Sequence, residues 1–525
     1  MSRQEIMGAS AVERAPVYAR SVARRATVTL GLIIGFYVLT VALIIGLFIG
    51  TFALILFFSV GGLIPAVFTL TTAVVLLAAV LPKRKRFKAP GPRITATEQP
   101  KLFQAIAEVA KQAEQPVPEE VYLIPQANAW VSTRGGILGI GRRRVLSIGL
   151  PLIGTLSAAE LRAVLAHEFG HYYGGDTRFS PVIYKAHNSM LDVAKGLSNS
   201  GYSAWLNIIM LPYVDIFLHI TLGISRYQEY AADRLAARIT SVSATSAALR
   251  MVHATDDIFD AYWHSNIKPL LDTGFIPPIT EGINRFMSSS LLSSAIKRKA
   301  EQKVEDSKIK RFAEYSTHPR LAQRIEALAD ISDDMFVNKD SEARAASLVG
   351  DISKLEREIF AKYIGEAKVD SLKPVAWENI CTEVYFPTWR QTVRRYSAGL
   401  TDVTPEMLPD IARNMSAFSV GLIEKSEKQI DSNRGVGQAK SASATIGAAI
   451  TLALYNAGWA VNAGPGQPTS ARLGGEEIRP FEVLGRLVAG NLSGEEWCQC
   501  CQNAGIAGVN FGNLLSQSKA TPATQ

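Results

Sequence analysis

The chain has 525 residues, of which 48% are hydrophobic and 19% charged, with a mean hydropathy of +0.12 and a formal net charge of +8. This length allows two or three domains with buried cores, and the low charged fraction argues against a disordered chain. Four cysteines exclude a disulfide scaffold and suit a reducing compartment.

The N-terminal region contains 55 consecutive residues without a charged side chain, Thr27–Leu81. One helix of that length would measure about 80 Å, against roughly 30 Å for the hydrocarbon core of a bilayer, so the stretch must fold back. Its interruption consists of Ser59, Gly61, Gly62 and Pro65. We therefore predict a transmembrane hairpin with spans at about 29–57 and 63–81. A cleaved signal peptide would be several times shorter.

Basic residues flank this hairpin on both sides. They are Arg14, Arg20, Arg24 and Arg25 before it, and Lys83, Arg84, Lys85, Arg86 and Lys88 after it. Since the turn carries no charge, the positive-inside rule places both ends and the whole remaining chain in the cytoplasm. These residues explain much of the positive net charge, so we expect the chain to bind a lipid bilayer and no nucleic acid.

Beyond the hairpin the composition becomes globular. Hydrophobic spacing predicts a helix over 98–114, and β-rich runs follow at 120–124, 128–133 and 144–149. Ser157 with Glu160, and Ser225 with Gln228, have the capping-box spacing that begins a helix.

The rest of the chain is predicted to be mainly helical, with a linker at 431–443 and two short strands near residue 465. The predicted domains are a cytoplasmic tail (1–26), the hairpin with its basic flank (27–88), a domain at 95–345, a helical segment (346–430) and a small α/β module (444–510).

The helix that begins at Ser157 contains the sequence His167-Glu168-Phe169-Gly170-His171. Histidines four residues apart lie on one helical face, so both imidazoles can bind one metal ion. Glu168 lies beside them, where its carboxylate can take a proton from an attacking water molecule. The alternative is an ordinary helix with two surface histidines.

A catalytic zinc site needs a third protein ligand, and the helix at 225–239 supplies the best candidate, Glu229. Asp233 follows one turn later, where it can accept the second N–H of a ligating histidine. Arg226, three residues before Glu229, could orient that carboxylate. The alternative is a plain charged helix face.

These residues resemble the membrane zinc metallopeptidases of the HtpX and CAAX-prenyl-protease type, in the gluzincin group. Four pieces match in order: Asn128-Ala129, Val164–His171, Ser225–Asp233, and Ser316-Thr317-His318-Pro319 followed by Arg324-Ile325. The resemblance covers about 95–330 and implies an α+β domain, mainly α with a small β-sheet, holding one Zn²⁺ per chain. The hairpin precedes this domain, and the helical segment and small α/β module follow it.

The resemblance also implies roles for the weaker pieces. Asn128 and Ala129 would lie on an edge strand that pairs with the backbone of an extended substrate. His318 would approach the metal from the far side and stabilise the oxyanion or occupy the open metal position. A loop histidine before a proline is the alternative for His318.

The proposed ligands constrain a second apolar run, Ala204–Ile224. Since His167, His171 and Glu229 must meet at one ion, the chain between them begins and ends on one side of the membrane. Residues 178–203 contain recurring charges and no second apolar span. We therefore predict a buried or membrane-facing helix beside the cleft, where related proteins commonly have a transmembrane pair.

The sequence thus predicts a zinc metalloendopeptidase of protein or peptide substrates, anchored in a bacterial inner membrane with its catalytic domain in the cytoplasm. By resemblance, its task is quality control of misfolded or damaged membrane proteins. The alternatives are a processing protease for prenylated tails and a non-catalytic scaffold with a structural zinc. Oligomeric state, the role of residues 346–525, and that of Cys498, Cys500 and Cys501 stay open.

Overall fold

A computed structural model of the chain describes residues 9–80, 87–134, 143–172, 207–289, 319–329, 331, 343–426 and 435–516. These residues fall into two compact units. The first comprises residues 1–254 and 299–350, and the second comprises 255–298 and 351–525. The domain boundaries given above remain a prediction.

The first unit begins with two apolar helices, α1 (Ala9–Phe58) and α2 (Leu63–Val80), separated by a 3-10 turn at Ser59–Gly62. The turn lies where glycines were expected to interrupt the apolar stretch. Within the described part of the chain, one segment, Leu30–Phe58, is long and apolar enough to cross a membrane, with a mean hydropathy of 2.8. Most large side chains on this segment are exposed, as expected for a surface that meets lipid rather than water.

A four-stranded sheet follows, with the order β1-β2-β4-β3. Its strands are β1 (Arg93–Ile94), β2 (Glu120–Ile124), β3 (Ala129–Arg134) and β4 (Arg143–Gly149). β2 and β4 are parallel, whereas β1 and β3 are antiparallel to their neighbours. β3 is therefore an edge strand of this sheet.

The helices of the first unit carry the candidate site. They are α3 (Pro100–Gln112), α4 (Leu150–Thr155), α5 (Ala158–Gly170), α6 (Asn207–Ile239), α7 (Val242–Tyr262, which ends in the second unit) and, further along the chain, α10 (Leu321–Glu326). A 3-10 turn at Ala345–Leu348 follows. α10 packs its Ile325 and the adjacent Leu328 with Ala237 of α6 and Leu249 of α7.

α6 differs from the sequence prediction. The expected helix start at Ser225 is wrong, because residue 225 lies inside one continuous helix of 33 residues. Its N-terminal part packs against α1: Phe217 is fully buried in a cluster with Ile33 and Phe36, and Tyr213 donates a hydrogen bond to the carbonyl of Leu32. Because of this apolar packing, the helix continues past residue 225 despite the capping pattern in the sequence there.

The second unit contains short helices and two small sheets. Its elements are α8 (Lys268–Asp272), β5 (Phe275–Ile276), α9 (Ile279–Met287), α11 (Ile352–Ile364), α12 (Glu366–Asp370), β6 (Lys373–Pro374), α13 (Phe386–Arg395), α14 (Ser397–Leu400), α15 (Leu408–Arg413), α16 (Met415–Ser426), α17 (Gly435–Asn456), β7 (Ala460–Gly464), β8 (Gln467–Leu473), β9 (Glu476–Ile478), α18 (Val483–Val488) and α19 (Gly494–Asn503). β5 pairs with β6, and β7, β8 and β9 form a meander.

One prediction fails in this unit. The linker predicted at 431–443 is helical from Gly435 onward, because α17 continues N-terminally from a segment whose apolar side chains are buried. The two strands predicted near residue 465 are present as β7 and β8, and a third strand, β9, follows them.

Residues 255–289 form a core with the chain that follows residue 350. The Trp377 indole donates to the carbonyl of Pro278 at 2.8 Å, and Tyr262 donates to the carbonyl of Ile279 at 3.1 Å. The buried Glu356 accepts the backbone N–H groups of Ile279 and Thr280 at 3.1 and 2.7 Å, and so caps the start of α9.

Candidate active site

The helix α5 begins with the predicted capping box. The Ser157 hydroxyl accepts the Glu160 N–H at 3.2 Å, and the Ser157 N–H donates to the Glu160 carboxylate at 2.7 Å. This cap fixes where the helix begins and therefore which face each later residue occupies. His167 and His171 lie one turn apart, with ring centroids 4.7 Å apart and ring planes at 83°.

α5 and α6 approach each other closely through small residues. A Cβ added to Gly170 would lie 2.8 Å from the Cα of Ala232 and 3.0 Å from its Cβ, closer than real side chains pack. Glycine beside the second histidine and alanine one turn after Glu229 therefore allow the two helices to bring their polar side chains together.

Glu229 is 5% exposed and faces both histidines. Its Oε2 lies 3.6 Å from His167 Nε2, and its Oε1 lies 3.7 Å from His171 Nε2. Two ligands of a tetrahedral zinc ion lie roughly 3.4 Å apart, so these separations are close to those of a metal site. Two imidazole nitrogens and one carboxylate are also a donor set that zinc accepts.

Glu168 is a second carboxylate at the same place. Metal-binding atoms of His167, Glu168 and His171 all lie within 4.8 Å of one another. The structure therefore brings two carboxylates to the histidine pair. Glu229 is the more deeply buried of the two and faces both Nε2 atoms, whereas Glu168 is half-buried.

Behind the histidines lies a buried group of three charged side chains. Asp233, 1% exposed, has its Oδ1 2.9 Å from His167 Nδ1. An ionised carboxylate only accepts hydrogen bonds, so this contact places the imidazole proton on Nδ1 and leaves Nε2 available to a metal.

Arg324 completes the group from α10. Its guanidinium donates to both carboxylate oxygens of Asp233, from Nε at 2.7 Å and from Nη2 at 2.6 Å. The same Nη2 lies 3.3 Å from Glu229 Oε2. Arg324 is 4% exposed, so its positive charge is paired with carboxylates in a buried setting.

These contacts shift the ionisation of the group. Burial alone would raise the pKa of Asp233, but the hydrogen bonds from Arg324 and His167 outweigh it and lower the pKa to about 2. Burial would lower the pKa of His167, yet the hydrogen bond to Asp233 leaves it raised. Asp233 therefore stays a carboxylate at neutral pH and holds the ring of His167 in place.

Arg324 is the residue whose contacts sequence reasoning missed. Arg324 follows the His318-Pro319 pair in the matching pattern, but no sequence pattern indicates that this arginine is buried between two carboxylates of another helix. Arg226, expected to orient Glu229, is exposed on α6, and its role stays a prediction. His318 lies outside the described residues.

The remaining predicted residues lie at the sheet. Asn128 is exposed and directly precedes β3, and Ala129 is the first residue of that edge strand. The edge position is what a strand needs in order to pair with another backbone. Their contact with substrate stays a prediction.

Comparison with known proteins finds a family similar to the region that contains these residues. Residues 96–332 match the family described as Peptidase family M48. This stretch contains both histidines, Glu168, Glu229, Asp233 and Arg324.

Curated relatives carry the name HtpX. The chain is 30% identical over 166 residues to "Protease HtpX homolog" of Acaryochloris marina, which covers 28% of this chain and 53% of the relative. It is 26% identical over 231 residues to "Protease HtpX" of Acinetobacter baylyi, covering 38% and 73%. For "Protease HtpX homolog 2" of Methanosarcina mazei the identity is 25% over 256 residues, covering 46% and 76%.

The chain thus spans about half the length of the first of these relatives. Among solved structures, "Crystal Structure of S. mikatae Ste24p" matches with 16% identity, 60% of this chain, 67% of that chain and a TM-score of 0.26.

Over residues 96–332 the chain is thus similar to a family of peptidases. The resemblance to membrane metallopeptidases of the HtpX type, predicted from the His167–His171 helix, is confirmed for this region.

Proposed function

We propose that the chain is a membrane-anchored zinc metalloendopeptidase. The observation that carries this proposal is the approach of both histidine Nε2 atoms to the Glu229 carboxylate, at 3.6 and 3.7 Å, with Glu168 alongside. His167, His171 and Glu229 would hold the zinc ion. When bound, zinc would supply a Lewis acid that polarises the scissile carbonyl.

The chain's own residues divide the remaining work. Glu168 takes a proton from the attacking water and then passes it to the leaving amine, which requires a carboxylate that is not itself a metal ligand. Asp233 keeps the His167 ring oriented, and Arg324 keeps Asp233 oriented. His318 is the residue proposed to stabilise the oxyanion.

The membrane part of the proposal rests on α1 and α2. The apolar segment Leu30–Phe58, followed by the turn and α2, would form a hairpin in the bilayer, with the metal site in the cytoplasm of a bacterial cell. We expect the chain to resist alkaline carbonate extraction from membranes. Release by carbonate would contradict the anchor and leave the peptidase chemistry untouched.

Quality control of misfolded or damaged membrane proteins is the proposed task, by similarity to relatives named HtpX. Processing of a defined, prenylated tail is the second candidate. Cleavage of unrelated unfolded proteins favours the first, and cleavage of one defined tail sequence favours the second.

The experiment that tests the proposed chemistry compares the native chain with Glu168→Gln in detergent. The substitution keeps the three ligands and the side-chain volume and removes the base. We expect one zinc per chain in both forms and cleavage of unfolded casein by the native form alone. Equal cleavage by both forms would refute the role of Glu168, and zinc without cleavage in both would favour a scaffold.

A further inference from the structure

The edge strand β3 offers its outward backbone groups in an alternating pattern. The Gly149 N–H donates to the Asn128 carbonyl at 2.8 Å. Ala129 is paired with Ile148 in the register, which puts Asn128 opposite Gly149 when the register is extended by one residue. In an antiparallel pair such hydrogen-bonded positions alternate. The backbone N–H and C=O groups of residues 130 and 132 therefore point towards β4, whereas those of Ala129, Val131 and Thr133 point away from it.

The outward carbonyl of Val131 accepts a hydrogen bond from the Tyr172 hydroxyl at 2.8 Å. Tyr172 directly follows His171, one of the proposed zinc ligands. The hydroxyl therefore lies at the point where the edge strand passes the end of the metal-binding helix.

Other side chains hold Tyr172 in this position. The carboxamide of Gln115 donates to the Tyr172 carbonyl at 3.1 Å. The Arg144 guanidinium lies 5.0 Å from the centre of the Tyr172 ring and also donates to Gln115 Oε1 at 2.9 Å. The ring is fixed by a cation–π contact, and its backbone is fixed by Gln115.

The neighbouring outward group is occupied as well. The Ala129 N–H donates to the side-chain oxygen of Asn128 at 2.9 Å. Side chains of this chain thus engage two of the backbone groups that a substrate strand would use. Asn128 can release its contact by rotating, whereas Tyr172 is held on three sides.

We propose that Tyr172 determines substrate specificity at the strand position opposite Val131; this inference rests on the proposed peptidase function. The Tyr172 hydroxyl already satisfies the Val131 carbonyl, so a substrate N–H that shares this acceptor with the hydroxyl, or displaces it, gains little net free energy. The native chain therefore accepts substrate residues that lack an N–H at this position, such as proline. Without the hydroxyl, the Val131 carbonyl binds a substrate N–H more favourably, so proline is disfavoured at this position.

The test measures peptide binding rather than turnover. A fluorescently labelled casein peptide is titrated into zinc-loaded Glu168→Gln and into Glu168→Gln with Tyr172→Phe, and fluorescence anisotropy gives each Kd. Peptides with one backbone N–H at a time replaced by N-methyl complete the set. Tyr455→Phe, a half-buried tyrosine in the second unit, is the matched control.

We expect Tyr172→Phe to bind the unmodified peptide about 2- to 10-fold more tightly, the factor that corresponds to one net hydrogen bond. N-methylation at one peptide position should remove that gain and should have little effect on the form that keeps Tyr172. Tyr455→Phe should bind like the parent. A merely structural role for Tyr172 would weaken all peptides alike.

Equal or weaker binding by Tyr172→Phe, or an effect independent of the methylated position, would overturn the inference and leave the peptidase proposal standing. If neither form binds the peptide and the native chain cleaves no casein, the proposed function fails and this inference fails with it.

Discussion

Replacing Arg324 by methionine removes a buried charge and keeps most of the side-chain volume. Arg324 makes two hydrogen bonds to Asp233, at 2.7 and 2.6 Å, and both residues are almost completely buried. Removing one partner of a buried ion pair costs about 3–5 kcal/mol, because the other charge is left without compensation. We expect the free energy of unfolding of the metal-stripped chain to fall by that amount.

The same variant should bind zinc more weakly. Loss of a group that orients a metal ligand typically lowers metal affinity by about 10- to 100-fold. Arg324→Lys keeps the charge but cannot form two parallel hydrogen bonds to Asp233, so its affinity should be intermediate. Zinc affinity is measured by competition with a chromogenic chelator, and stability by urea unfolding of the metal-stripped protein.

Arg234→Met is the matched control, since Arg234 lies on α6 beside Asp233 but is exposed. Even an exposed ion pair contributes only about 0–1 kcal/mol, so this variant should remain close to the native chain. If Arg324→Met retained native zinc affinity and native stability, the assignment of Arg324 as the residue that positions Asp233 would be wrong.

Two further predictions concern the second unit. Gly282→Ala should lower the free energy of unfolding by about 1–3 kcal/mol, because its Cβ would lie 2.1 Å from the Tyr262 hydroxyl oxygen. Gly421→Ala has open space around its Cβ and should stabilise its helix by up to about 1 kcal/mol. Urea unfolding measures both changes, and equal effects of the two substitutions would contradict this packing. Burial raises the pKa of Glu356 above its usual 4.5 despite its backbone hydrogen bonds, so the folded chain holds this proton more tightly and stability should fall as pH rises from 4.5 through the raised pKa. Over this pH range, the melting temperature of Glu356→Gln should fall less than that of the native chain. An equal fall in both proteins would refute the assignment of Glu356 as the group responsible.

Sequence patterns predicted those parts of the site that depend on interactions between residues close together in the chain. The capping box at Ser157 and the four-residue spacing of His167 and His171 act within one helix, and both are present in the structure as expected. The turn at Ser59–Gly62 was predictable for the same reason, because a glycine weakens a helix at its own position.

Features set by distant packing escaped prediction. The capping pattern at Ser225 is overridden because Phe217 and Tyr213 pack against α1 and keep the helix continuous. The burial of Arg324 depends on α10 packing against α6 and α7, which no spacing within residues 319–329 reveals.

The C-terminal part shows the same limit. Glu356 caps a helix that begins 77 residues earlier in the chain, at Ile279. Neither segment has a sequence pattern that indicates contact with the other, so the core that they share could not be inferred from composition.

The most direct test of the account compares the zinc content of two matched variants, Glu168→Gln and Glu229→Gln. Both replace one carboxylate beside the histidine pair by a neutral amide of equal size. If Glu229 is the ligand and Glu168 the base, purified Glu168→Gln retains one zinc per chain and Glu229→Gln loses it. Retention of zinc by Glu229→Gln together with its loss from Glu168→Gln would contradict the central assignment.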